Sequence, residues 1–139
     1  MMELTPDYVA GLMRNVPPLK DLEGAITVLE SEPGCVRYEV DVPESMTNYH
    51  HTIHGGSIAM LFEIGTGMAT YAYGVDNVAL QSSINFIRAV GPQKLVISGH
   101  STHKGRTTSV CHLKMETLEG KLIAEATYTM FILGPLPAE

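Results

Sequence analysis

The sequence predicts an α+β fold in which one long helix packs against an antiparallel sheet. A single apolar segment of helical length, Gly55–Tyr73, lies between stretches in which apolar and polar residues alternate as they do in strands. Four such stretches follow the helix in direct succession, separated by short turns that contain glycine. Turns of this kind join antiparallel neighbours, and a helix on an antiparallel sheet is an α+β arrangement.

The first elements are a short helix and two strands. Thr5-Pro6-Asp7 has the features of a helix start, and the helix ends near Arg14, before a pair of prolines. Alternation then predicts strands over Gly24–Glu30 and Cys35–Val42, with Glu32-Pro33-Gly34 as the turn between them. Four side chains of the second strand share one face and are expected to be buried: Val36, Tyr38, Val40 and Val42.

The second half of the chain is the long helix followed by a meander. A polar loop, Pro43–Ile53, leads into the helix, and Gly74 is a suitable residue to end it. The predicted strands are Asn77–Ala89, Lys94–His103, Thr107–Thr117 and Lys121–Leu133. Small residues on the helix would let strands approach its axis closely, and these are Gly65, Gly67, Ala69 and Ala72. The sheet is therefore expected to curl around the helix.

Composition narrows the function classes. The 139 residues suit one domain, 1–139, and 45% apolar with 17% charged residues is a globular composition. A net charge of −6 with no basic stripe argues against a nucleic-acid partner. Two cysteines are too few and too widely separated for a disulfide framework, and they suit small core positions in a reducing cytoplasm. No signal peptide is evident, so we expect a soluble cytoplasmic protein without a membrane partner.

Glu63 is the only formally charged residue between His54 and Asp76. None of the residues three or four positions away on the helix is a cation, so no intrahelical ion pair accounts for its carboxylate. Small residues on the same face would leave a slot beside it, and a carboxylate in an apolar slot suits a general base. The alternatives are that Glu63 points into solvent or pairs with a cation elsewhere in the fold.

His54-Gly55-Gly56 stands where the long helix begins. Its first-turn N–H groups have no partners within the helix and lie at the positive end of the helix dipole, where they can stabilise a developing oxyanion. The alternative is a glycine-rich helix entry that binds nothing. The spacing of His50, His51 and His54 is tolerable for zinc, but no further ligand follows at a suitable spacing, and we predict no metal site.

Asn48, His54-Gly55-Gly56 and Glu63 together resemble the hotdog-fold acyl-CoA thioesterases. The resemblance is to the branch of the phenylacetate-pathway and 4-hydroxybenzoyl-CoA thioesterases. In that branch an Asn or Gln lies six residues before the His and an acid lies nine residues after it, and both offsets hold here. The meander after the helix contains the run LQSSINFIRAV and the turn HKGRTTS in the expected order.

The resemblance implies a hydrolase that cleaves an acyl-CoA thioester to the free acid and coenzyme A, with no cofactor. It implies that Glu63 is the nucleophile or the base that activates water, and that the Gly55 N–H polarises the thioester carbonyl. Asn48 would help hold the carbonyl or the water, and His54 would shape the loop. The sequence does not distinguish a nucleophile from a base.

The resemblance also implies a homo-oligomer, either a dimer or a dimer of dimers, with active sites at the subunit interface. One chain would supply the His-Gly-Gly turn and the other the acidic helix. An acyl-CoA-binding hotdog domain without catalysis is the alternative. A hydratase on the same fold would carry a His and an acid in motifs that this sequence does not have.

Substrate-binding positions follow partly from the resemblance and partly from charge. The resemblance implies binding roles for Gly56, Gln81, Ser82 and Ser83. Coenzyme A carries several negative charges, and among nine Lys and Arg residues three stand out: Arg88, Lys104 and Arg106. Charged residues beside a hairpin glycine can also be plain solvated turn residues. The acyl pocket should include Met60, Met68, Phe62 or Tyr71, which suit an aromatic or medium aliphatic acyl group.

Three positions depart from the pattern of that branch. A glycine that commonly precedes the His is His51 here. A Thr or Ser expected one turn after the acid is Gly67, with Thr66 beside it. The position on the next strand that often carries a hydroxyl corresponds to Gln81. These departures bear on how water and substrate are positioned.

Overall fold

The computed structural model describes residues 3–15 and 17–136, which contain two α-helices and six strands. The α-helices are α1 (Pro6–Asn15) and α2 (Gly55–Tyr71). The strands are β1 (Ile26–Glu32), β2 (Cys35–Asp41), β3 (Val75–Phe86), β4 (Lys94–Lys104), β5 (Thr108–Thr117) and β6 (Leu122–Pro135). Within this described part of the chain, no helix is both long enough and apolar enough to cross a bilayer.

The six strands form one antiparallel sheet in the order β1-β2-β4-β5-β6-β3. The helix α2 contacts every strand from β2 to β6, so the sheet wraps around it as predicted. Strand β3 stands at one end of the sheet and, among the described residues, pairs only with β6. Its other edge therefore presents backbone N–H and C=O groups without strand partners among these residues.

The core lies between α2 and the inward face of the sheet. The predicted face of β2 is confirmed, because Val36, Tyr38, Val40 and Val42 are all buried. The hydroxyl of Tyr38 donates a hydrogen bond to the backbone carbonyl of Leu61 in α2. A Cβ atom on Gly65 would overlap the ring and hydroxyl of Tyr38, so a close approach of strand and helix requires glycine there.

Gly67 does not have the packing role that the sequence predicted for it. A Cβ atom built on Gly67 would meet no other atom within 4 Å. Gly67 and Gly65 stand on different faces of α2, because two residues advance an α-helix by about 200°. Only Gly65 therefore faces β2, and Gly67 faces open space.

Element boundaries and two local features differ from the predictions. The helix α2 ends at Tyr71 instead of Tyr73, and β3 begins two residues earlier than expected, at Val75. Two 3₁₀ helices that were predicted as turn or loop cover Pro17–Leu22 and Glu44–Met46. Cys111 is buried as expected, but the prediction for Cys35 is wrong, because Cys35 is exposed at the start of β2.

Two helix ends agree with the predictions. The hydroxyl of Thr5 accepts a hydrogen bond of 3.2 Å from the N–H of Tyr8, which is an N-cap contact at the start of α1. Gly74 has a φ of +85°, the left-handed conformation that glycine adopts without strain after a helix.

The two glycines of α2 should respond to alanine in opposite ways. Gly65→Ala forces Tyr38 to move in a packed core and should lower the free energy of unfolding by about 1–3 kcal/mol. Gly67→Ala meets no neighbour and replaces a poor helix former, so it should raise the free energy of unfolding by up to about 1 kcal/mol. Urea unfolding of both variants measures this, and equal effects at the two positions would contradict the packing described here.

Candidate active site

The helix α2 begins with a backbone donor that has no acceptor. His54 is the N-cap residue, and its Nδ1 accepts a hydrogen bond of 2.9 Å from the N–H of Gly56. A neutral His54 therefore carries its proton on Nε2. The N–H of Gly55 has no acceptor among the described residues. Gly55 thus offers a free donor at the positive end of α2, while the Gly56 N–H is already occupied.

The side chain of Asn48 makes its hydrogen bonds within the loop that precedes α2. Its Oδ1 accepts hydrogen bonds from the N–H groups of His50 (3.0 Å) and Thr52 (3.2 Å), and its Nδ2 lies 2.9 Å from the Thr52 hydroxyl. His51, inside this loop, has a φ of +62°. The departure from glycine at position 51 therefore places a histidine in the left-handed region, where a side chain is strained. In this chain Asn48 organises the loop that leads to His54.

Glu63 lies in the middle of α2, and its side chain is exposed in the single chain. The ion pairs among the described residues do not include it, so the alternative that another cation of the chain pairs with it is not supported. The expectation of an acid enclosed by its own chain is wrong. Glu63 opens onto a cavity on one side and faces solvent on the other.

Tyr128 is a neighbour of Glu63 that the sequence analysis missed. Its hydroxyl donates a hydrogen bond of 2.9 Å to the carbonyl of Ala59, one turn before Glu63. Burial raises the pKa of Tyr128 above its usual value, and the nearby Glu63 carboxylate raises it further, while a hydrogen bond with Ser82 lowers it. Nothing in the sequence indicates that Tyr128 of β6 and Glu63 of α2, which are 65 positions apart, are neighbours. Tyr128, Ser82 and Glu63 form one polar group in the folded chain.

A β-bulge decides which residue of β3 faces this group. The register with β6 shifts between Ala79 and Gln81, so that Leu80 is an extra residue. Ala79 pairs with Met130, and regular pairing would bring Gln81 opposite Tyr128. The bulge instead places Gln81 opposite Thr129 and Ser82 opposite Tyr128. Ser82 therefore supplies a hydroxyl at the face where the family resemblance placed Gln81.

Two other predicted polar residues do not join this group. Ser83 lies on the outward face of the sheet, where it lines a polar depression of about 830 Å³ together with His100, His112 and Thr127. This depression is larger than the cavity beside Glu63, but the sheet separates it from α2 and the free Gly55 N–H. Thr66 is fully buried, and its hydroxyl has no hydrogen-bond partner among the described residues. Thr66 therefore does not replace the hydroxyl expected at position 67.

The cavity beside Glu63 has a volume of about 260 Å³ and lies between α1 and α2. Met68 and Tyr71, two of the predicted pocket residues, line it. Phe62 is fully buried in the core and Met60 packs against the core, so neither lines this cavity. The other lining residues come from the segment before α1, from α1, the following 3₁₀ helix, α2 and the start of β3: Leu4, Tyr8, Leu19, Ile64, Gly67, Asp76 and Asn77.

The three predicted cations occupy opposite ends of the molecule. The ring of Phe86, at the end of β3, lies 3.5 Å from a Cβ built on Gly55, so Arg88 stands near the amino-terminal end of α2. The Nζ of Lys104 lies 5.5 Å from the ring centre of Tyr73, just beyond the carboxyl-terminal end of α2. Arg106 follows in the same turn. Within one chain these residues do not form a single basic patch.

The N–H of Gly55 and the carboxylate of Glu63 are also separated. Glu63 follows Gly55 by eight residues, which corresponds to about 12 Å along the helix axis. Reacting atoms must approach to roughly 3–3.5 Å. Along the backbone of α2, Gly55 and Glu63 are therefore much farther apart than this reacting distance. Among the described residues, no cluster of three or more His, Cys, Asp or Glu side chains has the arrangement of a metal site.

Several known proteins are similar to this chain in sequence or in structure. Human acyl-coenzyme A thioesterase 13 is 32% identical over 113 residues, which are 76% of this chain and 79% of that protein. The crystal structure of a hypothetical thioesterase from Streptococcus pneumoniae TIGR4 with coenzyme A superposes with a TM-score of 0.80 at 32% identity, covering 85% of this chain and 93% of that one. A Streptococcus mutans UA159 protein bound to acetyl CoA gives a TM-score of 0.77 at 33% identity, covering 81% and 91%.

The family assignment comes from the sequence match and the fold together. The six-stranded antiparallel sheet around one long helix is the hotdog fold that these neighbours share. The family model of the thioesterase superfamily matches residues 50–124, more than half of the chain, and this range begins in the loop before His54 and ends in β6. The chain belongs to the thioesterase superfamily.

Proposed function

We propose that this protein hydrolyses an acyl-CoA thioester, carrying an aromatic or a short to medium acyl group, to the free acid and coenzyme A. The observation that carries this proposal is a pair of groups on α2 that have no partner among the described residues, the N–H of Gly55 and the carboxylate of Glu63. The two solved relatives that contain coenzyme A or acetyl CoA support a CoA ester as the ligand.

The Gly55 N–H would act on the carbonyl oxygen of the thioester. As a nucleophile adds to the carbonyl carbon, negative charge moves to this oxygen. A backbone donor at the start of α2 stabilises that charge more than it stabilises the neutral carbonyl. The Nδ1 of His54 accepts a hydrogen bond from the Gly56 N–H, and the hydrogen bonds of Asn48 fix the loop that leads into α2. The Gly55 N–H is therefore preorganised.

Glu63 would act in one of two ways. As a base it removes a proton from water, whose oxygen attacks the carbonyl carbon, and the tetrahedral intermediate then collapses with loss of the CoA thiolate. As a nucleophile its carboxylate attacks the carbonyl, the thiolate leaves, and water hydrolyses the resulting anhydride. Either route ends with the acid, coenzyme A and a regenerated carboxylate.

The active site in this proposal contains residues of two chains. The separation of about 12 Å between Gly55 and Glu63 supports this, because a second copy would have to supply one of the two groups. The unpaired edge of β3 supports strand pairing as the contact. Its exposed apolar side chains, Val78 and Leu80, are 48% and 61% exposed in the single chain and would be covered by a partner. We propose a dimer formed along β3, with or without further pairing to a tetramer.

The proposed branch is that of the phenylacetate-pathway and 4-hydroxybenzoyl-CoA thioesterases. The offsets of Asn48 and Glu63 from His54 support it. Ser82 adds support, because the bulge at Leu80 restores a hydroxyl at the inward position of β3.

The first prediction concerns the acid. Glu63→Gln keeps the shape of the side chain but removes the base or nucleophile, so the rate of CoA release should fall by at least about 100-fold. Thiol release from a panel of acyl-CoAs measures this rate. Glu125→Gln, which neutralises an exposed carboxylate on the outward face of the sheet, is the matched control and should keep wild-type turnover. Full turnover by Glu63→Gln would contradict the assignment.

Saturable acyl-CoA binding without turnover by the wild type would favour the alternative function, an acyl-CoA-binding domain without catalysis.

The second prediction concerns the dimer. Leu80→Lys places a charge on the β3 edge and should shift the protein toward monomer in sedimentation experiments, with a parallel loss of turnover. Leu118→Lys is the control, because Leu118 is 59% exposed beside the β5–β6 turn. A monomeric Leu80→Lys protein with full activity would show that one chain is sufficient.

The third prediction concerns the nucleotide end of the substrate. Replacing Lys104 and Arg106 together by alanine should raise KM by about tenfold and change kcat little, because these cations would bind phosphates remote from the reacting bond. Lys121→Ala, which removes one cation from the β5–β6 turn, is the control for loss of a surface cation elsewhere. An unchanged KM in the double variant would assign both residues to the solvated turn.

A further inference from the structure

The cavity between α1 and α2 is a pocket of limited size that begins at Glu63. Its volume of about 260 Å³ is below the roughly 300–1,000 Å³ typical of pockets that enclose whole drug-sized ligands. It is therefore too small for an entire acyl-CoA but suits a compact acyl group. Four apolar side chains form most of its wall: Leu4, Leu19, Ile64 and Met68.

Gly67 provides the open space in this pocket. It lines the cavity one turn after Glu63, and a Cβ atom built on it meets no atom within 4 Å. Its φ is not in the positive range, so its backbone does not require glycine. A glycine inside a helix reduces helix stability, and neither packing nor backbone conformation explains it here. The absence of a side chain at position 67 leaves open space next to Glu63.

The helix α1 contributes Tyr8 to the wall of the pocket. Tyr8 of α1 stacks on Tyr71 of α2, with 5.2 Å between the ring centres. Tyr71 follows Glu63 by eight residues, so this aromatic pair stands about 12 Å farther along the helix axis. The Tyr8–Tyr71 pair therefore limits how far an acyl chain that starts at Glu63 can extend.

The far end of the pocket carries negative charge. Asp76 lines the cavity together with Tyr8 and Tyr71. Burial raises the pKa of the Tyr8 hydroxyl, and the nearby Asp76 carboxylate raises it further. Glu63 stands at the other end, and no Lys or Arg among the described residues lines the cavity. An acyl group that ends in a carboxylate would meet like charge at both ends and find no cation.

We propose that this pocket, opened by Gly67 and closed by Tyr8 and Asp76, receives the acyl group and selects compact, uncharged acyl chains. The proposal rests on the thioesterase function proposed above. It makes Gly67 the residue that determines acyl size and Asp76 the residue that excludes acyl groups with a terminal carboxylate.

Filling the space at Gly67 tests the size limit. Gly67→Leu should lower kcat/KM for hexanoyl-CoA and benzoyl-CoA by at least about tenfold, since a change of one methylene in an apolar pocket already has effects of this order. Acetyl-CoA, whose acyl group ends near Glu63, should be cleaved within about threefold of the wild-type kcat/KM. Tyr8→Ala should act in the opposite direction and raise the ratio of decanoyl-CoA to acetyl-CoA turnover. Gly11→Leu is the matched control, because Gly11 is also a helical glycine with open space at its Cβ but does not line the pocket.

Binding measured in the absence of turnover separates this proposal from the function it rests on. In a Glu63→Gln background, adding Gly67→Leu should weaken hexanoyl-CoA binding by about tenfold and leave acetyl-CoA binding unchanged, by calorimetry. Equal effects of Gly67→Leu on all acyl groups, or no effect on any, would overturn the pocket assignment while thiol release by the wild type still supports the thioesterase. Absence of both turnover and binding for every CoA ester would overturn the function itself.

A pair of substrates with eight-carbon acyl groups, long enough to approach Asp76, tests whether this carboxylate excludes a terminal carboxylate. The wild type should prefer octanoyl-CoA to suberoyl-CoA by about tenfold or more, and Asp76→Asn should reduce that preference severalfold. Equal cleavage of the two esters by the wild type would overturn the role of Asp76.

Discussion

The contact between Tyr38 and Gly65 sets the distance between the sheet and α2, and the site depends on that distance. The Tyr38 hydroxyl bonds to the carbonyl of Leu61, and its ring occupies the space that any side chain at position 65 would fill. With one face of α2 fixed in this way, Glu63 and Gly67 are held on another face, toward the cavity. Tyr128 contacts Ala59 from β6 and fixes the same helix from a second strand. The position of the acid thus results from core packing on both sides of it.

Much of the fold could be predicted because its signals are local. The alternation in β2 separates buried side chains from charged ones, and the apolar segment from Gly55 has the length of a helix. The N-cap contact of Thr5 and the left-handed Gly74 also follow from neighbouring residues. These predictions needed no knowledge of which elements meet in space.

The site could be predicted only in part, because several of its features depend on distant residues. One extra residue at Leu80 reverses which side chains of β3 face the helix, so sequence spacing pointed to Gln81 where Ser82 stands. Glycines at positions 65 and 67 look equivalent in the sequence, but only one has a tyrosine against it. Tyr128 comes near Glu63 through β6, which lies far along the chain. The exposure of Glu63 in one chain also differs from the enclosed acid that the apolar segment indicated.

The edge of β3 that has no strand partner among the described residues has a consequence for the single chain. This strand is 12 residues long, carries exposed Val78 and Leu80, and offers a row of unsatisfied backbone groups. An edge of that kind is a template for irregular strand addition and aggregation. The bulge at Leu80 interrupts its regularity and reduces this hazard, since a twisted edge pairs poorly with foreign strands. Newly synthesised chains at low concentration would be the form most exposed to misassembly and to proteolysis.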